Sequence, residues 1–243
     1  MDRRSLLVST AVALAVLTLP GCAEADDGPP DYRYRLTVEV DTPEGVRTGS
    51  SVIAVEQRLV GPGSNPAGTG VERHIQGEAV AVDLPGGRTL FALLRSEEDV
   101  DWASRVFVLL APRISGETFA EELDNVLLVQ GENVLPRTWP PVGHLPERPA
   151  YPMLVTFADL SDPTSVARVD PDDLAASFGE GVTLRRITMQ LTSDPVTTGI
   201  EQRLVWLANQ RGSLIPIPRG TPIGDMPIGS DITEGDFSRS TAQ

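Results

Sequence analysis

The chain has 243 residues with 34 acidic and 20 basic side chains, which gives a net charge of −14 at neutral pH. All 20 basic residues are arginine, which is typical of a GC-rich genome. A surface of this charge repels phosphate backbones and anionic lipid headgroups, so we expect no nucleic-acid partner. The chain contains a single cysteine, so no disulfide can form within it and the fold depends on its apolar core.

The first 22 residues have the pattern of an export signal. Arg3 and Arg4 form a short basic head, residues 6–19 are apolar, and Leu19-Pro20-Gly21-Cys22 follows. This tetrapeptide resembles a bacterial lipobox, which implies cleavage before Cys22 and attachment of lipid to its sulfur. A transmembrane helix is the alternative, but the 14-residue run is shorter than the roughly 20 residues that a bilayer requires. We therefore predict a signal peptide at 1–21 and a lipid anchor on Cys22.

The export route stays open between two alternatives. The sequence Asp2-Arg3-Arg4-Ser5-Leu6-Leu7 resembles a twin-arginine signal, but two arginines also suit the basic head of a general secretory signal. Residues 22–31 are acidic and rich in proline and glycine, and they predict a short tether between anchor and domain. The expected location is the cell envelope facing the periplasm, with the membrane bound through the lipid on Cys22. Ala23, where an aspartate would favour the inner membrane, favours the outer membrane.

Residues 32–215 are predicted to form one β-rich α+β domain with antiparallel hairpins and two or three short helices. Residues 32–41 alternate apolar and polar side chains, and a Pro-Glu-Gly turn joins them to a second strand at 46–56. Gly49 in the second strand indicates a bulge or the close approach of another backbone. Residues 61–70 are predicted to be a flexible loop.

Four further strands are predicted beyond this hairpin. Two of them, at 78–84 and 89–95, form a second hairpin around Pro85-Gly86-Gly87. Because residues 89–94 are apolar on both faces, that strand is expected to be central. The others lie at 153–158 and 182–193.

The helices are predicted from apolar spacing and from caps. Residues 102–110 fit either a helix or a buried strand, whereas 117–126 favour a short helix. Asp170-Pro171-Asp172-Asp173 is predicted to start a helix that Gly179 ends. Thr198-Gly199-Ile200-Glu201 has the pattern of a capping box, and it is followed by an amphipathic helix with Ile200, Leu204 and Leu207 on one face.

Two proline-rich stretches bear on domain organisation. Residues 136–152 predict a long connection across the surface or, alternatively, a boundary between two subdomains. Trp139 and Tyr151 favour packing of this stretch against a single domain. Residues 216–243 predict a loosely held C-terminal tail.

No catalytic or metal-binding motif is assembled in the sequence. His74 and His144 are placed at predicted loops, and Gly-x-Ser-x-Gly and His-Glu-x-x-His are both absent. With the only cysteine assigned to lipid, no thiolate remains for zinc. We accordingly predict no catalytic residue, no metal and no cofactor.

One acidic loop contains enough carboxylates to suggest a possible site. Glu97, Glu98, Asp99 and Asp101 could bind a divalent ion or supply the paired acids of a hydrolase. Acidic loops are more often simply solvated. The hydrolase hypothesis requires two of these carboxylates in a concave pocket.

Two segments resemble a family of uncharacterised proteins from GC-rich proteobacteria. The first runs from Tyr34-Arg35-Leu36-Thr37-Val38-Glu39-Val40 through Thr42-Pro43-Glu44-Gly45 to Gly49-Ser50-Ser51, and the second is Pro195-Val196-Thr197-Thr198-Gly199-Ile200-Glu201 with Leu204, Trp206 and Leu207. Asp162-Pro163 and Val169-Asp170-Pro171-Asp172-Asp173-Leu174 extend the resemblance over most of 32–207. It supports the domain limits and implies no catalytic residues.

These observations favour a lipid-anchored, non-enzymatic binding or interaction module, with an envelope protein or a small ligand as its partner. One alternative is an envelope hydrolase that uses the acidic loop. Another is an immunity or inhibitor protein whose acidic face blocks a basic toxin.

Overall fold

The computed structural model describes residues 28–61, 70–141, 146–217, 220–222 and 226–240. The predictions for the signal peptide, for Cys22 and for His144 lie outside these residues, as do most of the predicted tether at 22–31 and of the predicted loop at 61–70. Within these ranges, no helix is long and apolar enough to cross a membrane.

Over the described ranges the fold is β-rich, with antiparallel sheets and three short α-helices, which confirms the predicted α+β class. The strands in chain order are β1 Tyr32–Thr42, β2 Gly45–Val60, β3 Gly70–Glu78, β4 Val80–Leu84, β5 Arg88–Ala92, β6 Asn133–Val134, β7 Thr138–Trp139, β8 Arg148–Pro149, β9 Leu154–Phe157, β10 Val166–Arg168, β11 Thr183–Leu191 and β12 Ser238–Arg239. The helices are α1 Trp102–Arg105, α2 Phe119–Asp124 and α3 Leu174–Phe178.

The strands form two main sheets and one small pair. The first sheet has six strands in the order β12-β3-β2-β1-β11-β6, and the second has four in the order β10-β9-β5-β4. Strands β7 and β8 pair separately within the proline-rich connection. There, Trp139 and Tyr151 are partly buried against the main core.

The alternation of β1 places its apolar side chains on the face towards the second sheet. Tyr34, Leu36, Val38 and Val40 are fully buried there, which confirms the predicted strand. Strand β2 pairs with β1 and continues to Val60, four residues beyond the prediction. The two sheets approach closely at Gly49: a Cβ added to it would lie 2.9 Å from the carbonyl carbon of Ala81 and closer still to its oxygen. The predicted close approach of another backbone at Gly49 is confirmed.

The second sheet is buried on both faces, so the fold has two cores. The main core lies between the sheets and includes Leu36, Val82 and Leu90. The second core lies on the opposite face of the four-stranded sheet, where Phe91 and Phe157 pack against the chain beyond residue 200. Strand β5 therefore needs apolar residues on both faces, which explains its sequence and confirms its predicted central position between β9 and β4.

Strand β3 was not predicted. The sequence favoured a loop at 61–70 and placed the next strand at 78–84, whereas β3 occupies Gly70–Glu78 and β4 begins at Val80. Most of its side chains are polar because one face of β3 is open to solvent, and Ile75 is its one large buried apolar residue. Backbone hydrogen bonds to β2 hold this strand in place.

Both of the first two segments that the sequence indicated as possible helices are helical in the structure. Residues 102–110 are helical, with α1 followed by a 3-10 turn at Phe107–Leu110. Helix α2 confirms the short helix predicted at 117–126, and a capping box between Thr118 and Glu121 starts it.

The predicted start of α3 is wrong by three residues. Asp173 caps this helix by accepting the N–H of Ala176, and Asp170 instead accepts the N–H of Asp172 in the preceding turn. Gly179 ends the helix with a positive φ of 105°, as predicted.

The predicted helix after Thr198 is replaced by two 3-10 turns, Ile200–Gln202 and Leu207–Asn209. Gly199 takes the N-cap position without any side-chain cap from its own segment. The apolar face was nevertheless predicted correctly, because Ile200, Leu204 and Leu207 are all buried in the second core.

The prediction of a loosely held tail is wrong for residues 226–240. Ile232 and Phe237 are fully buried in the second core. Strand β12 pairs with β3 through Ser238 and Arg239. Proline and glycine dominate this stretch, but its few large apolar side chains suffice to fix it against the sheet.

Candidate ligand-binding cleft

The structure places three of the four acidic loop residues at two separate surface grooves, and Asp101 lines neither. Glu97 pairs with Arg168 at 2.9 Å, and Asp99 and Asp101 both pair with Arg105, at 3.5 and 3.2 Å. Glu97 lines one groove, while Glu98 and Asp99 line another beside Trp102. Within the loop, the N–H of Asp99 donates to Ser96 Oγ. Arginine pairing thus accounts for three of the four carboxylates as parts of the folded surface.

His74 lies on strand β3 rather than at a loop. Its imidazole is exposed and 3.6 Å from the carboxylate of Glu72, on the open face of the first sheet. No cluster of three or more potential metal ligands occurs within the ranges that the structure covers.

A cleft of about 550 Å³ opens where the β3 and β12 end of the first sheet meets the chain at 196–211. Its volume lies within the range of small-molecule sites. Its charged lining residues come from distant parts of the chain: Glu78, Glu201, Arg211, Glu234 and Arg239. Neither the acidic loop nor His74 contributes to it.

Glu78 forms the buried wall of this cleft. Its exposed fraction is 6%, and its two carboxylate oxygens accept the backbone N–H groups of Gly199 and Ile200 at 2.8 and 2.9 Å. Burial raises the pKa of Glu78 above its ordinary value, the two N–H groups oppose this rise, and the nearby Glu201 carboxylate adds to it. Both oxygens of Glu78 are thus committed to holding the first 3-10 turn against the sheet.

Glu234 supplies the unsatisfied group of the cleft. It begins the 3-10 turn Glu234–Asp236, in which Thr233 and Asp236 form a capping box. Its Oε2 atom is buried and has no hydrogen-bond partner in the described part of the chain. A buried acceptor without a donor is destabilising by about 1–3 kcal/mol. Because this oxygen is closed to solvent, a ligand in the cleft can donate a hydrogen bond to it only after the Glu234 side chain turns towards the cleft.

The two arginines of the cleft are already bound to backbone carbonyls. Arg239 donates to Gly235 and Val100 at 3.1 Å each, and Arg211 donates to Ala208 and Gln210 at 3.1 and 2.6 Å. Their positions are therefore fixed while their positive charge remains beside the carboxylates. A lining with both signs of charge suits a small polar molecule better than a purely apolar one.

An ion-pair network around the buried Arg95 side chain supports the segment that carries Glu234. The Arg95 side chain is buried and donates to the Asp231 carboxylate at 2.9 Å, and it lies 3.9 Å from the carboxylate of Asp236. Burial raises the pKa of Asp236, while the Thr233 N–H and the Arg95 charge oppose the rise. Arg95, which follows β5, thereby joins the second sheet to the C-terminal turns and keeps Glu234 at the cleft.

Sequence reasoning missed this site completely. Glu78, Glu201 and Glu234 share no motif, and the tertiary fold alone brings them together. The one local signal is the Thr233-x-x-Asp236 capping pattern, which indicates an ordered turn in the proline-rich tail but no binding role.

Comparison of the chain with protein-family models, with curated proteins and with solved structures finds no match. The resemblance to uncharacterised proteobacterial proteins and the lipobox therefore remain predictions from the sequence.

Proposed function

We propose that the protein is a lipid-anchored, non-enzymatic binding module of the bacterial cell envelope. Its ligand is a small polar molecule that donates hydrogen bonds, and its site is the cleft around Glu78, Glu201 and Glu234. The membrane is its second partner, through lipid on Cys22.

The observation that carries the binding proposal is the buried, unpartnered Oε2 atom of Glu234 at the cleft. Native proteins rarely leave such an acceptor unpaired. A ligand that bears an amine or a hydroxyl group supplies the missing donor. The fixed positive charges of Arg211 and Arg239 suit an acidic or acceptor group on the same molecule, which favours compounds with both kinds of group.

The anchoring proposal is supported by the sequence at 19–22 and by the small number of residues between Cys22 and the first strand. Residue 28 is the first that the structure describes, and β1 begins at Tyr32. The proposed lipid on Cys22 would therefore hold the domain close to the bilayer.

Two measurements test these proposals separately. For the anchor, full-length protein is expressed in a bacterial host with a Cys22→Ser variant as control. We expect the mass of the mature N-terminal peptide to show acylation of Cys22 and loss of residues 1–21. An unmodified thiol in the wild-type protein would refute the anchor.

For the cleft, the detergent-purified protein is screened against amino acids, polyamines and sugars by thermal shift and equilibrium dialysis. We expect at least one compound to bind, and Glu234→Gln to weaken its binding about tenfold, since a hydrogen bond to a charged group contributes about 1.5–3 kcal/mol. The matched control is Glu180→Gln, which removes an exposed carboxylate that does not line the cleft. If no compound binds, or if both variants bind equally well, the cleft is not the ligand site.

A further inference from the structure

Several large apolar side chains remain exposed in one segment of the fold, between residues 107 and 128. They are Leu109, Ile114, Phe119, Leu127 and Leu128, with exposed fractions between 37% and 52%. Leu109 and Phe119 line a shared groove of about 270 Å³, together with Arg73 and Arg113.

Gln57 connects this groove to the point where the chain enters the fold. Its backbone N–H donates to Asp31 Oδ1 and its side-chain amide donates to the Pro30 carbonyl, each at 2.9 Å. Its side-chain oxygen accepts a hydrogen bond from Arg73 Nε, also at 2.9 Å. The entry of the chain and the arginine of the groove are therefore held by the nitrogen and the oxygen of one side-chain amide.

A second set of contacts places Leu127 near the same point, where the chain enters the fold. Leu127 lines a surface groove with Asp31 and Tyr32. The Tyr32 ring lies 5.7 Å from the ring of Phe107, which begins the 3-10 turn that also carries Leu109. The exposed apolar side chains thus surround the entry of the chain from two sides.

The length of the tether limits how the domain can turn relative to its anchor. Gly28 is only six positions beyond Cys22, and six residues span at most about 20 Å when fully extended. A globular domain of this size has a radius of gyration of roughly 16 Å. Its entry end therefore cannot be carried to the side away from the bilayer.

We infer that the surface formed by Leu109, Phe119 and Leu127 lies on the membrane to which the chain is anchored. This inference rests on the proposed lipid on Cys22. The occupant is the interface between lipid headgroups and acyl chains, where exposed apolar side chains leave water. Arg73 and Arg113 beside the groove suit lipid phosphate groups. Because the whole chain is strongly acidic, contact depends on the apolar side chains rather than on net charge.

The single cysteine makes a sharp test possible. Once lipid occupies Cys22, an introduced cysteine is the only free thiol and can carry a fluorescent label. Phe119→Cys places the label on the inferred surface, and Val205→Cys is the matched control on an exposed residue beyond the second sheet. The lipidated proteins are reconstituted into phosphatidylcholine vesicles that contain a lipid-borne quencher.

We expect several-fold stronger quenching at position 119 than at position 205. A label introduced by Leu127→Cys should behave like that at 119, and it should lose most of its quenching when Leu109→Ser and Phe119→Ser are combined. Both serine substitutions are at exposed sites, so the melting temperature serves to confirm that the variant is folded.

Mass analysis of the same samples separates the possible failures. Acylated Cys22 with equal quenching at 119 and 205 overturns the surface while the anchor stands. A Cys22 without lipid refutes the anchor itself. Retention of residues 1–21 with a label at 119 that is shielded equally in detergent assigns the groove to the signal peptide and overturns the inference.

Discussion

Glu78 and Ile200 are 122 positions apart in the chain, and the Glu78 carboxylate accepts the Ile200 backbone N–H at 2.9 Å. Its other oxygen accepts the N–H of Gly199 at 2.8 Å. The turn that begins at Ile200 is thus capped by a strand of the first sheet, although Thr198 provides a suitable residue locally. This bond fixes the wall of the cleft to the sheet edge.

Replacing Glu78 with alanine should destabilise the protein by about 2 kcal/mol, because two backbone N–H groups lose their acceptor and the Ile200 group is buried. Chemical denaturation of the full chain measures this change. Glu201→Ala is the control, since Glu201 lines the same cleft but is exposed, and we expect an effect within about 0.5 kcal/mol. If Glu78→Ala also changes the free energy of unfolding by less than about 0.5 kcal/mol, the cap is not important for stability.

Glu78 and Asp83 should respond to pH in opposite directions. Burial raises the pKa of Glu78 above its ordinary value of 4.5, so the pH-dependent part of its stabilising contribution is present below pH 4.5 and is lost as the pH rises through the folded-state pKa. Hydrogen bonds from Arg203 lower the pKa of Asp83 below 3.8, so its contribution is present above pH 3.8 and is lost as the pH falls through the folded-state pKa.

The measurement is the free energy of unfolding of Glu78→Gln and Asp83→Asn between pH 3 and pH 7. Relative to the wild type, the advantage of Glu78 should shrink as the pH rises, whereas that of Asp83 should grow. The Asp83 effect should stay below about 1 kcal/mol, because its side chain is mostly exposed. Two trends of the same sign would contradict the assigned environments.

The sequence predicted those elements whose side chains alone determine their structure. Strand β1 alternates over its whole length because one face is solvent and the other is core, and Gly49 indicated the approach of a second backbone. Strand β3 was missed because a strand that buries little is stabilised mainly by backbone pairing, which leaves no apolar pattern. The sequence predicted the apolar face of Ile200, Leu204 and Leu207. It missed the contribution of Ile232 and Phe237 to the second core, because proline and glycine dominate the stretch that carries them.

The cleft could not be predicted for a related reason. The cap of Ile200 comes from Glu78, and the unpaired oxygen of Glu234 depends on the turns that Arg95 holds in place. The Glu78–Ile200 and Arg95–Asp231 contacts each join positions more than 100 residues apart. The unpaired oxygen of Glu234 depends on the second of these contacts. A local sequence pattern cannot reveal pairs of residues so far apart in the chain. The acidic loop was conspicuous in the sequence, but three of its four carboxylates pair with arginines.

Gly49→Ala should destabilise the protein by about 1–3 kcal/mol, because the new methyl group would overlap the backbone of Ala81 where the sheets approach. The control is Gly61→Ala, where an added Cβ meets nothing within 4 Å and φ is not positive. Thermal unfolding of the two variants provides the comparison. An unchanged melting temperature for Gly49→Ala would mean that β2 and β4 can separate there without loss.

Phe237→Ala should be the most destabilising of these substitutions. The ring is fully buried and lies 6.0 Å from Phe91, 5.8 Å from Phe157 and 5.7 Å from Trp206 between ring centres. Its removal leaves a cavity in the second core, for which about 3–5 kcal/mol is typical. Denaturant unfolding followed by tryptophan fluorescence measures the loss, because Trp206 loses its edge-on neighbour. Met226→Ala is the matched control, since Met226 belongs to the same C-terminal stretch but is exposed. If the two variants unfold at the same denaturant concentration, the C-terminal stretch is not part of the cooperative fold and cannot hold Glu234 at the cleft.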